Sequence, residues 1–197
     1  MIHQRLRIIL WALVAIAAIG GILISLQRPT SSTSEAALAT IGGPFTLTAS
    51  DGKPFPSSRL NGKPAAIFFG FTHCPDVCPT TLSRLVKLRR QLGQGDQAMS
   101  IVFISVDPER DGPAEVGGYA NLFNAPVIGL TGSPADIERV KKQFGAFSQK
   151  VEQPGGGYSV DHTAAVFLMD RNGHFVATLA PDEGDSVALA KLKRLLA

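Results

Sequence analysis

Cys74 and Cys78 are the only cysteines among the 197 residues, and both lie in one short segment, Phe71-Thr72-His73-Cys74-Pro75-Asp76-Val77-Cys78-Pro79. Two thiols at this spacing can close a structural disulfide, cycle as a dithiol redox pair, or bind a soft metal. A bridge across so small a ring removes little entropy from the unfolded chain, which weighs against a pure staple. Three residues separate the cysteines where the common Cys-x-x-Cys redox motif has two, which weakens the dithiol reading and leaves it open. A metal site needs a further donor, because two thiolates give an incomplete shell.

The histidines are His3, His73, His162 and His174. His162, in Val160-Asp161-His162-Thr163, precedes an apolar stretch at an expected loop–strand junction, from which a side chain can reach another loop. It is the candidate third ligand, with Asp161 as a candidate for orienting its ring. His73, beside Cys74, is either a fourth ligand or a loop residue with no metal role. His174 follows Asn172-Gly173 at an expected hairpin and should be exposed, and His3 lies in an N-terminal tail beyond an apolar run. Two thiolates and one imidazole suit Cu(I), which accepts low coordination, and Cu(II) with one more donor. Zinc prefers four ligands, and its paired Cys and His spacings are absent, so copper is the better match.

The elements around these residues read as α/β, with short apolar runs alternating with helix-period segments. Ala65–Phe71 is apolar on both faces, as an interior strand should be, and Phe45–Ala49, Met99–Val106 and Val127–Leu130 are further strands. Thr72–Pro79 is expected as a loop, followed by a helix over Thr80–Leu92 whose start Pro79 suits. Helices are also expected over Pro113–Phe123, from an N-cap at Ser133 to about Phe147, and over Glu183–Leu196. Pro154-Gly155-Gly156-Gly157 breaks the chain, and Thr163–Asp170 pairs with His174–Leu179 as a hairpin. The cysteines thus sit where a strand ends and a helix begins, where the helix dipole favours thiolate and both sulfurs should be reactive.

Ile8–Leu26 is a run of 19 residues without a charge, close to the roughly 20 that span a bilayer. Arg5 and Arg7 before it, against Arg28 alone after it, place the N-terminus in the cytoplasm and the remainder outside. Ala37-Leu38-Ala39 has the form of a signal-peptidase site, yet the apolar run is too long for a signal peptide and lies too far from it, which favours an uncleaved anchor. The chain then divides into a cytoplasmic tail (1–7), a transmembrane anchor (8–26), a flexible linker (27–40) rich in Ser, Thr and Ala, and one domain (41–197). Of the 19 Lys and Arg, three precede Ile41, leaving 16; of the 16 acids only Glu35 does, leaving 15. A nearly neutral domain without a basic stripe excludes a nucleic-acid partner.

These residues resemble the Sco/SenC family of copper-binding proteins. The similarity begins at Gly43-Pro44-Phe45-Thr46-Leu47, passes through Phe69 to Thr80, includes Ser105-Val106-Asp107-Pro108-Glu109-Arg110-Asp111 and Gly129-Leu130-Thr131-Gly132, and ends with Asp161-His162-Thr163. The resemblance implies a thioredoxin-like fold, a central mixed sheet flanked by helices, with Cys74, Cys78 and His162 as the ligands of one copper. It further implies an inner-membrane anchor, a periplasm-facing domain, delivery of copper to the CuA site of cytochrome c oxidase subunit II, and thiol-disulfide activity toward that subunit's cysteines. Other periplasmic copper chaperones or thiol reductants are further expected partners. Asp111-Gly112-Pro113 departs from the family, which often has Thr before that proline. The segment Asp107–Asp111 is expected either to shape a partner surface or to form a solvated charged turn. Against the metallochaperone stand two other readings, a thiol-disulfide reductase acting on oxidase cysteines and a copper-linked redox sensor.

Overall fold

In the computed structural model, which describes residues 41–196 and, before them, Gln4, Trp11 and Gly20 alone, nine strands and four α-helices follow one another from Thr46. They are β1 (Thr46–Ala49), β2 (Pro54–Pro56), β3 (Ala65–Gly70), α1 (Val77–Gln91), β4 (Ser100–Ser105), α2 (Pro113–Asn121), β5 (Ile128–Thr131), α3 (Pro134–Phe144), β6 (Ser148–Glu152), β7 (Tyr158–His162), β8 (Val166–Met169), β9 (Phe175–Leu179) and α4 (Asp185–Leu196). Apart from these three residues, the expected tail, membrane anchor and linker fall outside the described residues. Among the described residues no helix is long and apolar enough to cross a membrane.

Seven strands form one sheet in the order β2-β1-β5-β4-β3-β8-β9. The helical crossovers α1 and α2 make β3, β4 and β5 parallel, tight turns make the pairs β1–β2 and β8–β9 antiparallel, and β1 and β8 also run antiparallel to their sheet neighbours β5 and β3. The sheet is therefore mixed, as a thioredoxin-like α/β fold requires. Every residue of β3 is buried, since this strand has a partner on both edges and a layer on both faces. Alternation assigns the faces. Phe69 meets Phe144 of α3 and Phe167 of β8 edge-on, whereas Phe103 of β4, paired in register with Phe68, meets Tyr119 of α2. α3 thus covers one face, and α2 the other together with α1, whose Cys78 lies against Gly70.

Among the boundaries that differ from the sequence expectation, two have a clear physical reason. α1 starts at Val77 rather than Thr80, with the Thr80 N–H bonded to the Asp76 carbonyl at 3.1 Å, so Cys78 and Pro79 fall within its first turn. Proline is tolerated there because first-turn N–H groups have no partner inside the helix. α3 is capped at Ser133 as expected, its hydroxyl accepting from the Asp136 N–H at 3.1 Å, but it stops at Phe144. Gly145 adopts a left-handed conformation (φ +63°), and the Ala146 N–H closes the turn on the Lys141 carbonyl. The β6–β7 hairpin, where the sequence suggested only a chain break, pairs Ser148 with His162 and Glu152 with Tyr158.

Candidate metal centre

The cysteine loop leaves the sheet at Gly70, whose carbonyl accepts the Val106 N–H at 2.8 Å. A Cβ at Gly70 would stand 2.7 Å from Cys78 Sγ and about as close to the rings of Phe103 and Phe68, so only glycine lets this sulfur lie against the strand. Cys78 is fully buried and Cys74 half-buried, and both are free thiols. The Cys78 N–H, one of the unpartnered donors of the first helical turn, points at Cys74 Sγ at 3.4 Å. Burial, reinforced by Cys74 and Asp111, pushes the Cys78 thiol well above its ordinary pKa, against a backbone hydrogen bond from Phe71. Cys78 is thus closed to solvent, and the more accessible of the two sulfurs is that of Cys74.

His162, the last residue of β7, brings Nε2 to 3.4 Å from Cys78 Sγ. Its Nδ1 lies 3.1 Å from the Thr163 carbonyl, which can only accept, so Nδ1 carries the proton and Nε2 turns a lone pair toward the sulfur. The ring packs edge-on against Phe68 and Phe71, with centroids 5.8 Å away in each case. Burial among these rings lowers its pKa, opposed by the backbone of Thr163 and Phe69 and by the charge of Asp161. The ligating atoms of Cys74, Cys78 and His162 all lie within 4.8 Å of one another. Donors bound at about 2.0–2.3 Å to one metal stand roughly 3.5–4.5 Å apart, so the three need little adjustment to close on an ion. No other group of three or more such side chains occurs among the described residues.

A buried carboxylate anchors the loop. Asp111 accepts the Thr72 N–H (2.9 Å), the Thr72 hydroxyl (2.6 Å) and the Ser105 hydroxyl (2.6 Å), and its own carbonyl accepts the Thr131 hydroxyl (2.6 Å). These bonds tie the cysteine loop to the ends of β4 and β5, and a buried charge with several donors needs no counter-ion to be tolerated.

The sequence profile of the SCO1/SenC family matches residues 33–197. The chain belongs to this family. Protein SCO1 homolog 1, mitochondrial, of Arabidopsis thaliana is 41% identical over 139 residues, which make up 70% of this chain and 42% of that protein, so the match spans less than half of the relative's length. Among solved structures, Bradyrhizobium japonicum ScoI with copper bound is 45% identical with a TM-score of 0.71, covering 79% of this chain and 99% of that one. Arabidopsis thaliana ScoI with copper bound is 35% identical with a TM-score of 0.73, covering 78% and 99%.

In this SCO1/SenC protein the fold brings together Cys74, Cys78 and His162 and leaves out the other candidates. His73 is half exposed and turns Nδ1 to the Thr72 hydroxyl (3.1 Å) and Asp111 (3.6 Å), outside the ligand group. His174 is exposed beside Asp170, as its hairpin position suggested. Asp161 is exposed and does not hold the His162 ring, because adjacent residues of a strand point to opposite faces; the Thr163 carbonyl takes that place. In the Asp107–Asp111 segment Asp107 and Asp111 are buried and Glu109 between them is exposed, so the segment is not a wholly solvated turn. Sequence reasoning missed Gly70, the Phe68 and Phe71 cradle and the anchoring by Asp111. The sign available was the strand-ending Phe-Gly-Phe before the loop, a small residue between two large ones where backbone and sulfur must approach.

Proposed function

We propose that this protein is a membrane-anchored copper metallochaperone whose periplasm-facing domain binds one copper through Cys74, Cys78 and His162 and supplies it to the CuA site of cytochrome c oxidase subunit II. The observation that carries the reading is the convergence of two sulfurs and one imidazole nitrogen within 4.8 Å at the edge of the fold. This donor set suits a soft ion of low coordination number, and among the described residues no fourth protein donor joins it to complete a zinc shell. The copper bound in the two solved relatives supports the choice of metal. An uncharged Ile8–Leu26 segment flanked by Arg5 and Arg7 supports the anchor and its orientation.

The site's chemistry also supplies a control. Oxidation of Cys74 and Cys78 to a disulfide removes two electrons and two protons and withdraws two of the three donors, so the redox state of the pair gates binding. The half-buried Cys74 sulfur, beside a helix N-terminus, is the one placed to attack a partner disulfide and release one partner thiol; the buried Cys78 then attacks the mixed disulfide, releasing the second partner thiol as the Cys74–Cys78 bond closes, so the partner is reduced and the pair oxidised. This arrangement keeps the thiol-disulfide reductase as the second reading. The two separate in cells carrying only His162→Ala: a metallochaperone loses oxidase with a filled CuA site, whereas a reductase retains it. A reporter fused after residue 197 and active only outside the cytoplasm tests the orientation; activity only when the fusion stays inside contradicts it.

A further inference from the structure

We infer that Arg110 is a positioning residue for His162, clamping the β6–β7 hairpin so that the imidazole stays within reach of the two sulfurs; this rests on the copper reading above. His162 differs from the cysteines in how it is supported. Cys74 and Cys78 belong to a loop and helix rooted in the main sheet, whereas β6 and β7 pair with each other alone and with no strand of that sheet. His162 ends β7, so its place depends on how the hairpin is held against the rest of the domain.

Arg110 makes that connection. Its Nε bonds the Asp107 carboxylate (2.5 Å), its Nη1 donates to the Tyr158 carbonyl at the start of β7 (3.0 Å), and its guanidinium covers the Tyr158 ring at 3.8 Å. The Tyr158 hydroxyl returns a bond to the other Asp107 oxygen (2.8 Å). The same guanidinium also stands 5.8 Å from the centroid of Phe71, a ring that packs edge-to-face with His162. Arg110 therefore touches both the strand that carries the histidine and an aromatic wall of its cradle. Lys150 of β6 adds an outer strut, pairing with Glu109 (2.5 Å) and lying 4.6 Å over the Tyr158 ring. Val160, buried in the core, also anchors the hairpin, through apolar packing that is less directional than the Arg110 bonds.

The chemistry demands arginine. A planar guanidinium can bond a carboxylate along one edge, donate to a carbonyl from another nitrogen and stack on an aromatic face at once, and an ammonium cannot do all three. Partners that orient a metal-binding histidine are commonly worth about 10–100-fold in affinity, which sets the effect to look for.

The test is a double-mutant cycle on the full-length reduced chain, with Cu(I) affinity read by competition with a chelator. Arg110→Met should lower affinity by roughly 10–100-fold in the wild-type background and should cost nothing further in the His162→Ala background. Arg110→Lys, which keeps the charge without the fork, should recover only part of the loss. In Cu(II)-loaded protein, the spin-echo modulation from imidazole nitrogen should weaken in Arg110→Met while sulfur-to-copper charge transfer persists. Tyr158→Leu removes the stacked ring from the hairpin side and should reproduce both effects, which covers the case of an Arg110 variant that fails to fold. Equal losses in both backgrounds, or a folded Arg110→Met protein with wild-type affinity and nitrogen modulation, would overturn the assignment. Failure of the wild-type protein itself to bind copper would instead refute the underlying copper reading.

Discussion

Replacing Gly70 by alanine probes how firmly the buried sulfur is fixed. The new Cβ would lie 2.7 Å from Cys78 Sγ, where ordinary contact begins near 3.4 Å, and 3.0 and 3.1 Å from ring carbons of Phe103 and Phe68. The sulfur must retreat by the difference, 0.7 Å, or two buried rings must shift, because close-packed interiors offer no empty space to absorb a methyl group. Overpacking of this kind costs about 1–3 kcal/mol, or roughly 3–10 °C in Tm for a domain of this size. Copper binding should weaken in parallel, since Cys78 Sγ sits 3.4 Å from His162 Nε2 and a displaced sulfur spoils the ligand triangle. Gly118→Ala is the matched control: it lies in α2, its Cβ meets nothing within 4 Å, and the helix gains up to about 1 kcal/mol of propensity. Differential scanning calorimetry and chelator competition on both variants make the comparison. A Gly70→Ala protein that melts and binds copper like wild type would refute the claim that Cys78 is wedged against β3.

Asp111→Asn turns an amide donor toward groups that themselves donate, the Thr72 and Ser105 hydroxyls and the Thr72 N–H, at a cost of about 1–3 kcal/mol. It should lower Tm and speed alkylation of Cys74, and an unchanged labelling rate would show that the loop does not depend on this anchor. Asp185 at the start of α4 is held below the ordinary carboxylate pKa by hydrogen bonds from Arg84 and then Lys87. A depressed carboxylate contributes stability that is complete above its unfolded pKa of about 3.9 and is lost as pH falls through the lower folded value. Asp185→Asn should therefore reduce the urea midpoint at neutral pH, with the gap to wild type closing below about pH 4; a gap independent of pH would contradict the pairing.

The parts legible in the sequence were those fixed by local chemistry. β3 announced itself because a strand covered on both faces must be apolar at every position, and the cap at Ser133 because its hydroxyl answers donors three residues away. The two cysteines and His162 could be nominated because few residue types bind soft metal and few of them are present. The β6–β7 hairpin was not legible: β6 is almost wholly exposed, so its sequence carries no apolar alternation to reveal a strand. Burial of Asp107 and Asp111 was equally hidden, since carboxylates read as surface until the donors that satisfy them, from Thr72, Ser105, Arg110 and Tyr158, are brought in from distant segments. The start of α1 lies three residues before the expected Thr80, because a proline anywhere in the first turn breaks no helical bond and Pro79 therefore does not mark the boundary.

The central claim is that Cys74, Cys78 and His162 together bind one copper. An anaerobic Cu(I) titration of the full-length protein in detergent, against a competing chelator, tests it most directly, with the disulfide form and the Cys74→Ser, Cys78→Ser and His162→Ala variants alongside. The account predicts one tightly bound copper per reduced chain, none in the disulfide form, and sharply weaker binding in each variant. A folded, reduced wild-type protein that binds no copper, or a His162→Ala protein that binds it as wild type does, would contradict the account.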